Sequence, residues 1–113
     1  MSVVWISSDL QLRDPEKAYS VLLPAIEDVR QLDLPLVGGW CLGDVLEGSD
    51  LPRLEETAKS VVELYERLGV PMRYVMGNHE KDYCGRRGEG RFPLHELVRD
   101  RPGWITTRSP SDF

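Results

Sequence analysis

Three short polar groups in the chain carry residue types able to do chemistry: Ser8-Asp9-Leu10-Gln11, Gly43-Asp44-Val45-Leu46-Glu47 and Gly77-Asn78-His79-Glu80. Their leading members, Asp9, Asp44 and Asn78, stand 35 and 34 residues apart. Two carboxylates, an amide oxygen and an imidazole gathered in one place repel or stay unsatisfied unless a cation sits among them, so a metal is the natural resident. Oxygen and imidazole donors without a thiolate suit Mn²⁺, Mg²⁺, Fe or Zn²⁺ better than soft ions. Gly43 and Gly77 each allow the backbone to turn sharply, so that the following side chain can enter a site. An isolated Asp after a strand is more often a turn or cap residue. The even spacing of three such groups is what favours a site.

The elements that must position them are legible from the periodicity. Val3-Val4-Trp5-Ile6-Ser7 is short, β-branched and apolar on both parities, as expected of a strand covered on both faces. Asp14-Pro15-Glu16 reads as a helix start with Asp14 as N-cap. Ala18, Leu22, Ala25, Ile26, Val29 and Leu32 follow on one helical face, with Pro24 expected to kink or break the helix. Leu36 to Leu42 reads as a second strand, whose Gly38 and Gly39 mark a bulge or a close backbone approach. Gly48 to Pro52 opens another helix, with Leu54, Ala58, Val61, Val62, Tyr65 and Leu68 as its apolar face and Gly69 as its stop. Met72 to Met76 is a third strand, Pro93 to Arg99 a short helix, and Trp104 to Thr107 a fourth strand. Strands alternating with helices predict an α/β fold, a βαβαβ parallel sheet, with each polar group at the carboxyl end of a strand. In such sheets that is the edge where ligands bind.

At 113 residues the chain is one domain, spanning 1–113, with an ordinary globular balance of 41% hydrophobic and 29% charged residues. No stretch approaches the roughly 20 apolar residues of a membrane span, and no signal peptide is visible, so a cytoplasmic protein without membrane contact is expected. The net charge of −5 is uneven: residues 1–80 carry −7 and residues 81–113 carry +2. An acidic body argues against broad nucleic-acid affinity, leaving nucleic acid only as a substrate. Arg86, Arg87 and Arg91 in the loop 81–91 are candidates to meet an anionic substrate, or simply a solvated loop. The same loop holds Gly85, Gly88 and Gly90, but without the strand-to-helix context of a phosphate cradle. Cys41 and Cys84 lie 43 positions apart and form neither a disulfide framework nor a zinc motif. Cys41 reads as a small core residue and Cys84 as a free thiol in a polar loop. Trp5, Trp40 and Trp104 read as core or sheet-face residues.

Asp9, Gly43-Asp44 and Gly77-Asn78-His79-Glu80 together resemble the motifs of the calcineurin-like metallophosphoesterases, whose pattern is D-x-H, then G-D, then G-N-H-[D/E], each at a strand end. The resemblance covers about residues 3 to 107. It implies half of the four-layer α/β/β/α metallophosphoesterase sandwich, and a hydrolase that cleaves a phosphomonoester or phosphodiester with two divalent ions. Mn²⁺ is the first expectation for these ions, with Fe, Zn²⁺, Mg²⁺ or Ni²⁺ as alternatives. By the same resemblance Asp9 binds the first metal, Asp44 bridges both, Asn78 binds the second, His79 stabilises or protonates the leaving group, and Glu80 orients His79 or its loop from behind.

Two features depart from that pattern. The histidine of D-x-H is Gln11 here, a weaker ligand through its amide oxygen. The family's later lone His and G-H-x-H are missing, the only histidines being His79 and His95. His95, in the helix Pro93–Arg99, reads as a surface helix residue. The expected alternatives are a homodimer or a missing C-terminal half that completes the site, or a catalytically incomplete metal-binding or interaction module. A half-sandwich would also leave apolar sheet surface exposed and prone to self-association. A nucleotide binder of doubly wound type is disfavoured, because no glycine-rich fingerprint follows the first strand.

Overall fold

Asp14 opens the helical part of the molecule as its sequence position suggests. Its Oδ1 accepts a hydrogen bond from the Lys17 amide at 2.7 Å, and this bond lowers the Asp14 pKa. In the computed structural model, which describes residues 1–46, 51–75 and 92–107, the elements run in a simple alternation. Strand β1 (Val3–Ser7) leads to α1 (Pro15–Lys17), a π-helical segment (Ala18–Leu22) and α2 (Leu23–Gln31). Then come β2 (Leu36–Cys41), α3 (Leu51–Glu66), β3 (Met72–Val75), α4 (Pro93–Val98) and β4 (Trp104–Thr107). The four strands form one parallel sheet in the order β1-β2-β3-β4, so the fold is α/β as the alternation predicts.

Pro24 does not break the first long helix. The turns just before it widen into the π segment, which moves carbonyls away from a ring that cannot donate and would clash one turn back. Within that helix Ala18, Leu22 and Ile26 are buried, while Leu32, expected on the apolar face, lies past the end of α2 and is exposed. Helix α3 buries more than its simple stripe. Thr57 and Leu64 are also fully enclosed, because α3 lies between the first helical segment and α4 and so is covered on three sides. Thr57 satisfies its hydroxyl by donating to the Arg53 carbonyl at 2.8 Å. Gly69 ends this unit with φ of 69°, a left-handed stop that suits glycine.

The two glycines of β2 do what their positions suggest. The register shifts between Val3 and Val4 where β1 meets Leu36 and Gly38. A Cβ on Gly39 would come within 2.6 Å of the Met72 Sδ, so the thioether lies directly over the glycine.

The expectation of strands covered on both faces is overturned. Cys41, Met72, Tyr74 and Trp104 face the helices and are buried. On the opposite face Ile6, Trp40, Arg73 and Ile105 stand in one register row across all four strands. Ile6 and Ile105 are each 54% exposed and Trp40 is 40% exposed. Arg73 lies over the Trp40 ring, 5.6 Å from its centre. β1, β2 and β4 alternate because the described helices pack on one side only, while β3 buries Val75 as well as Met72 and Tyr74. Among the described residues, no helix is long and apolar enough to cross a membrane.

Candidate functional site

The pairing of β1 with β2 continues past the ends of both strands. Leu42 donates to the Ser7 carbonyl at 2.9 Å, Asp9 to Gly43 at 3.1 Å, Gln11 to Asp44 at 2.9 Å and Leu12 to Val45 at 2.7 Å. A last isolated parallel bridge joins Leu12 to Leu46. The two loops that carry Asp9, Gln11 and Asp44 are therefore stitched side by side, and the Asp9 amide is bonded to the residue immediately before Asp44.

Three of the bonded residues adopt a backbone that L-amino acids avoid. Asp9 has φ of 56°, Gln11 of 51° and Asp44 of 50°, next to Gly43 at 99°. Glycine takes such angles freely, and Asp reaches them at some cost, but glutamine has no local hydrogen bond to favour them. What holds them is the apolar floor of the loops: Leu12, Val45 and Leu46 are all buried in the core. These anchors alternate with the polar residues, so burying them fixes the loops while Asp9 and Gln11 remain exposed and Asp44 half-buried. Asp33, in the turn after α2, shares this backbone at φ of 50°, but the paired loops bring three such residues together, the kind of strain that clusters at functional sites.

The described part of the arrangement is two carboxylates and one amide oxygen on adjoining loops at the carboxyl edge of the sheet. Those donors fit a hard divalent cation. One Asp9 carboxylate oxygen already accepts from the Ser8 hydroxyl at 2.6 Å, which orients the group. Among the described residues no group of three or more His, Cys, Asp or Glu is placed to hold a metal ion. Asn78, His79, Glu80, Arg86 and Arg87 fall outside the described residues, as does Cys84. His95 lies on α4 half-buried, not at the surface as its sequence position suggests. The strand order 1-2-3-4 has no reversal, so the described sheet lacks the crevice at which doubly wound nucleotide binders take their ligand.

Below the site lies a group that periodicity alone assigns only to the apolar face of α3. Tyr65 is fully buried, with its ring 6.0 Å from Trp5 and edge-on to Trp104 at 6.2 Å. Its hydroxyl lies 2.6 Å from the Ser7 Oγ and 3.6 Å from the Cys41 Sγ. Burial pushes this phenol well above its usual pKa, so it stays protonated. No sequence signal separates such a tyrosine from an ordinary core aromatic.

No protein-family model matches the chain, and no curated protein matches it significantly.

Proposed function

We propose that the chain is a metal-dependent phosphoesterase of the calcineurin-like type, hydrolysing a phosphomonoester or phosphodiester. The observation that carries this reading is the pair of stitched loops holding Asp9, Gln11 and Asp44 in left-handed backbone at the sheet's carboxyl edge. The Gly77-Asn78-His79-Glu80 motif that follows β3 supports it from the sequence.

In this reading Asp9, Asp44, Asn78 and Gln11 hold two divalent ions. When bound, such ions neutralise phosphate oxygens and make a water acidic enough to act as nucleophile near neutral pH. In the displacement of the ester oxygen by water, His79 would give its proton to the departing oxygen. Glu80 keeps the His79 ring oriented. Arg86 and Arg87 offer the cations that would receive the remaining charge of the substrate. The test is Mn²⁺-dependent release of nitrophenol from a bis-nitrophenyl phosphate. The rate should fall at least a hundredfold in His79→Ala, following the usual scale of general-acid catalysis. Activity that persists in that variant would sink the assignment.

A second reading is favoured by Gln11 and by the presence of only two histidines, His79 and His95. It holds that the chain is an incomplete metal-binding or interaction module on the same scaffold. Calorimetric titration of Mn²⁺ into the chelator-stripped chain separates the two. Two ions per chain support the hydrolase; one ion or none supports the module.

A further inference from the structure

The carboxyl ends of β1 and β2, already joined by the backbone ladder, are also bridged from below by one side chain. Ser7 and Cys41 are register partners across the two strands. Tyr65 reaches both from α3, with its hydroxyl 2.6 Å from the Ser7 Oγ and 3.6 Å from the Cys41 Sγ. Ser7 in turn donates to the Trp40 carbonyl at 3.5 Å. Either hydroxyl of the short Tyr65–Ser7 pair can donate, and the Cys41 thiol donates to the Tyr65 oxygen, so the three side chains form one connected group.

Asp9 lies two residues beyond Ser7, and Asp44 lies three beyond Cys41. We infer that Tyr65 is a positioning residue of the metal site: its hydroxyl, between Ser7 and Cys41, steadies the backbone-paired strand ends from which Asp9 and Asp44 extend. This rests on the reading of Asp9 and Asp44 as metal ligands. Residues behind metal ligands commonly change metal affinity by about tenfold or more when their hydrogen bond is lost.

The experiment is calorimetric titration of Mn²⁺ into the full chain as wild type, Tyr65→Phe, Ser7→Ala, the double variant and Asp44→Ala, each well below its melting temperature. Either single change should weaken Mn²⁺ binding by about tenfold. The double variant should be no weaker than the worse single one, because both remove the same bond. Ser7→Ala, at a partly exposed position, decides the matter if Tyr65→Phe does not fold. Wild-type affinity in Tyr65→Phe or Ser7→Ala, with binding lost in Asp44→Ala, overturns the inference and leaves the metal site standing. Absence of Mn²⁺ binding in the wild type overturns both together.

Discussion

Gln11 offers the sharpest separation of fold from function, because its backbone and its side chain make opposite demands. At φ of 51° it occupies a conformation that costs an L-residue about 1–2 kcal/mol. Glycine would remove that cost but brings about 0.5–1 kcal/mol of extra backbone entropy to be lost on folding. The difference favours Gln11→Gly by about 0.5–1 kcal/mol. The bond from residue 11 to the Asp44 carbonyl is made by the backbone and survives the change. The side chain is exposed, so little packing is lost. In a domain of this size the gain corresponds to a rise of about 2–5 °C in melting temperature. If the amide oxygen also ligates metal, the same variant should bind Mn²⁺ about tenfold more weakly. Gln11→Ala keeps the left-handed strain and removes only the amide, so it should lose the same affinity without gaining stability. The assays are calorimetric melting without metal and Mn²⁺ titration. A lower melting temperature in Gln11→Gly would refute the strain argument. Unchanged Mn²⁺ affinity in both variants would remove Gln11 from the ligand set.

Glu66 receives a paired bond from Arg101, at 2.7 and 2.9 Å, and one from the Trp104 indole at 3.2 Å. The Arg101 guanidinium holds its carboxyl below the ordinary range. Because the folded pKa is depressed, the stability it contributes is present above the ordinary carboxylate pKa and is lost as the pH falls through the lowered one. Glu66→Gln should therefore cost about 1 kcal/mol at pH 7, a figure discounted for a side chain 34% exposed. The difference from wild type should vanish in acid below the usual carboxylate range, as read by urea unfolding at both pH values; a gap that widens in acid would contradict the sign. The two faces of the sheet should also respond unequally. Leu64→Ala, in the buried layer, should cost about 2–5 kcal/mol, whereas Ile6→Thr, on the open face, should cost under about 0.5 kcal/mol. Equal costs in urea unfolding would mean that the open face is covered in solution.

The sequence by itself determined the alternation of strands and helices, the Asp14 cap, the Gly69 stop and the spacing of the three polar groups. These are local matters: cap chemistry, backbone preference and apolar periodicity act within a few residues and leave a direct trace in the chain. That Asp9 and Asp44 stand at strand ends was legible for the same reason. The tertiary structure alone decided which face of the sheet is bare, since Val4 and Ile6 are as apolar as any core residue and only the side taken by the helices distinguishes the faces. Thr57 and Leu64 became core because α3 has neighbours on three sides, a fact of packing that a single helical stripe does not encode. The stitching of residues 7–12 to 42–46 is likewise non-local. It forces Gln11 into a conformation its own chemistry disfavours, and buried Leu12, Val45 and Leu46 supply the energy that holds it there. Tyr65 makes the same point from below: its ring was predictable as core, but its hydroxyl found Ser7 and Cys41 only once two strands and a helix had met.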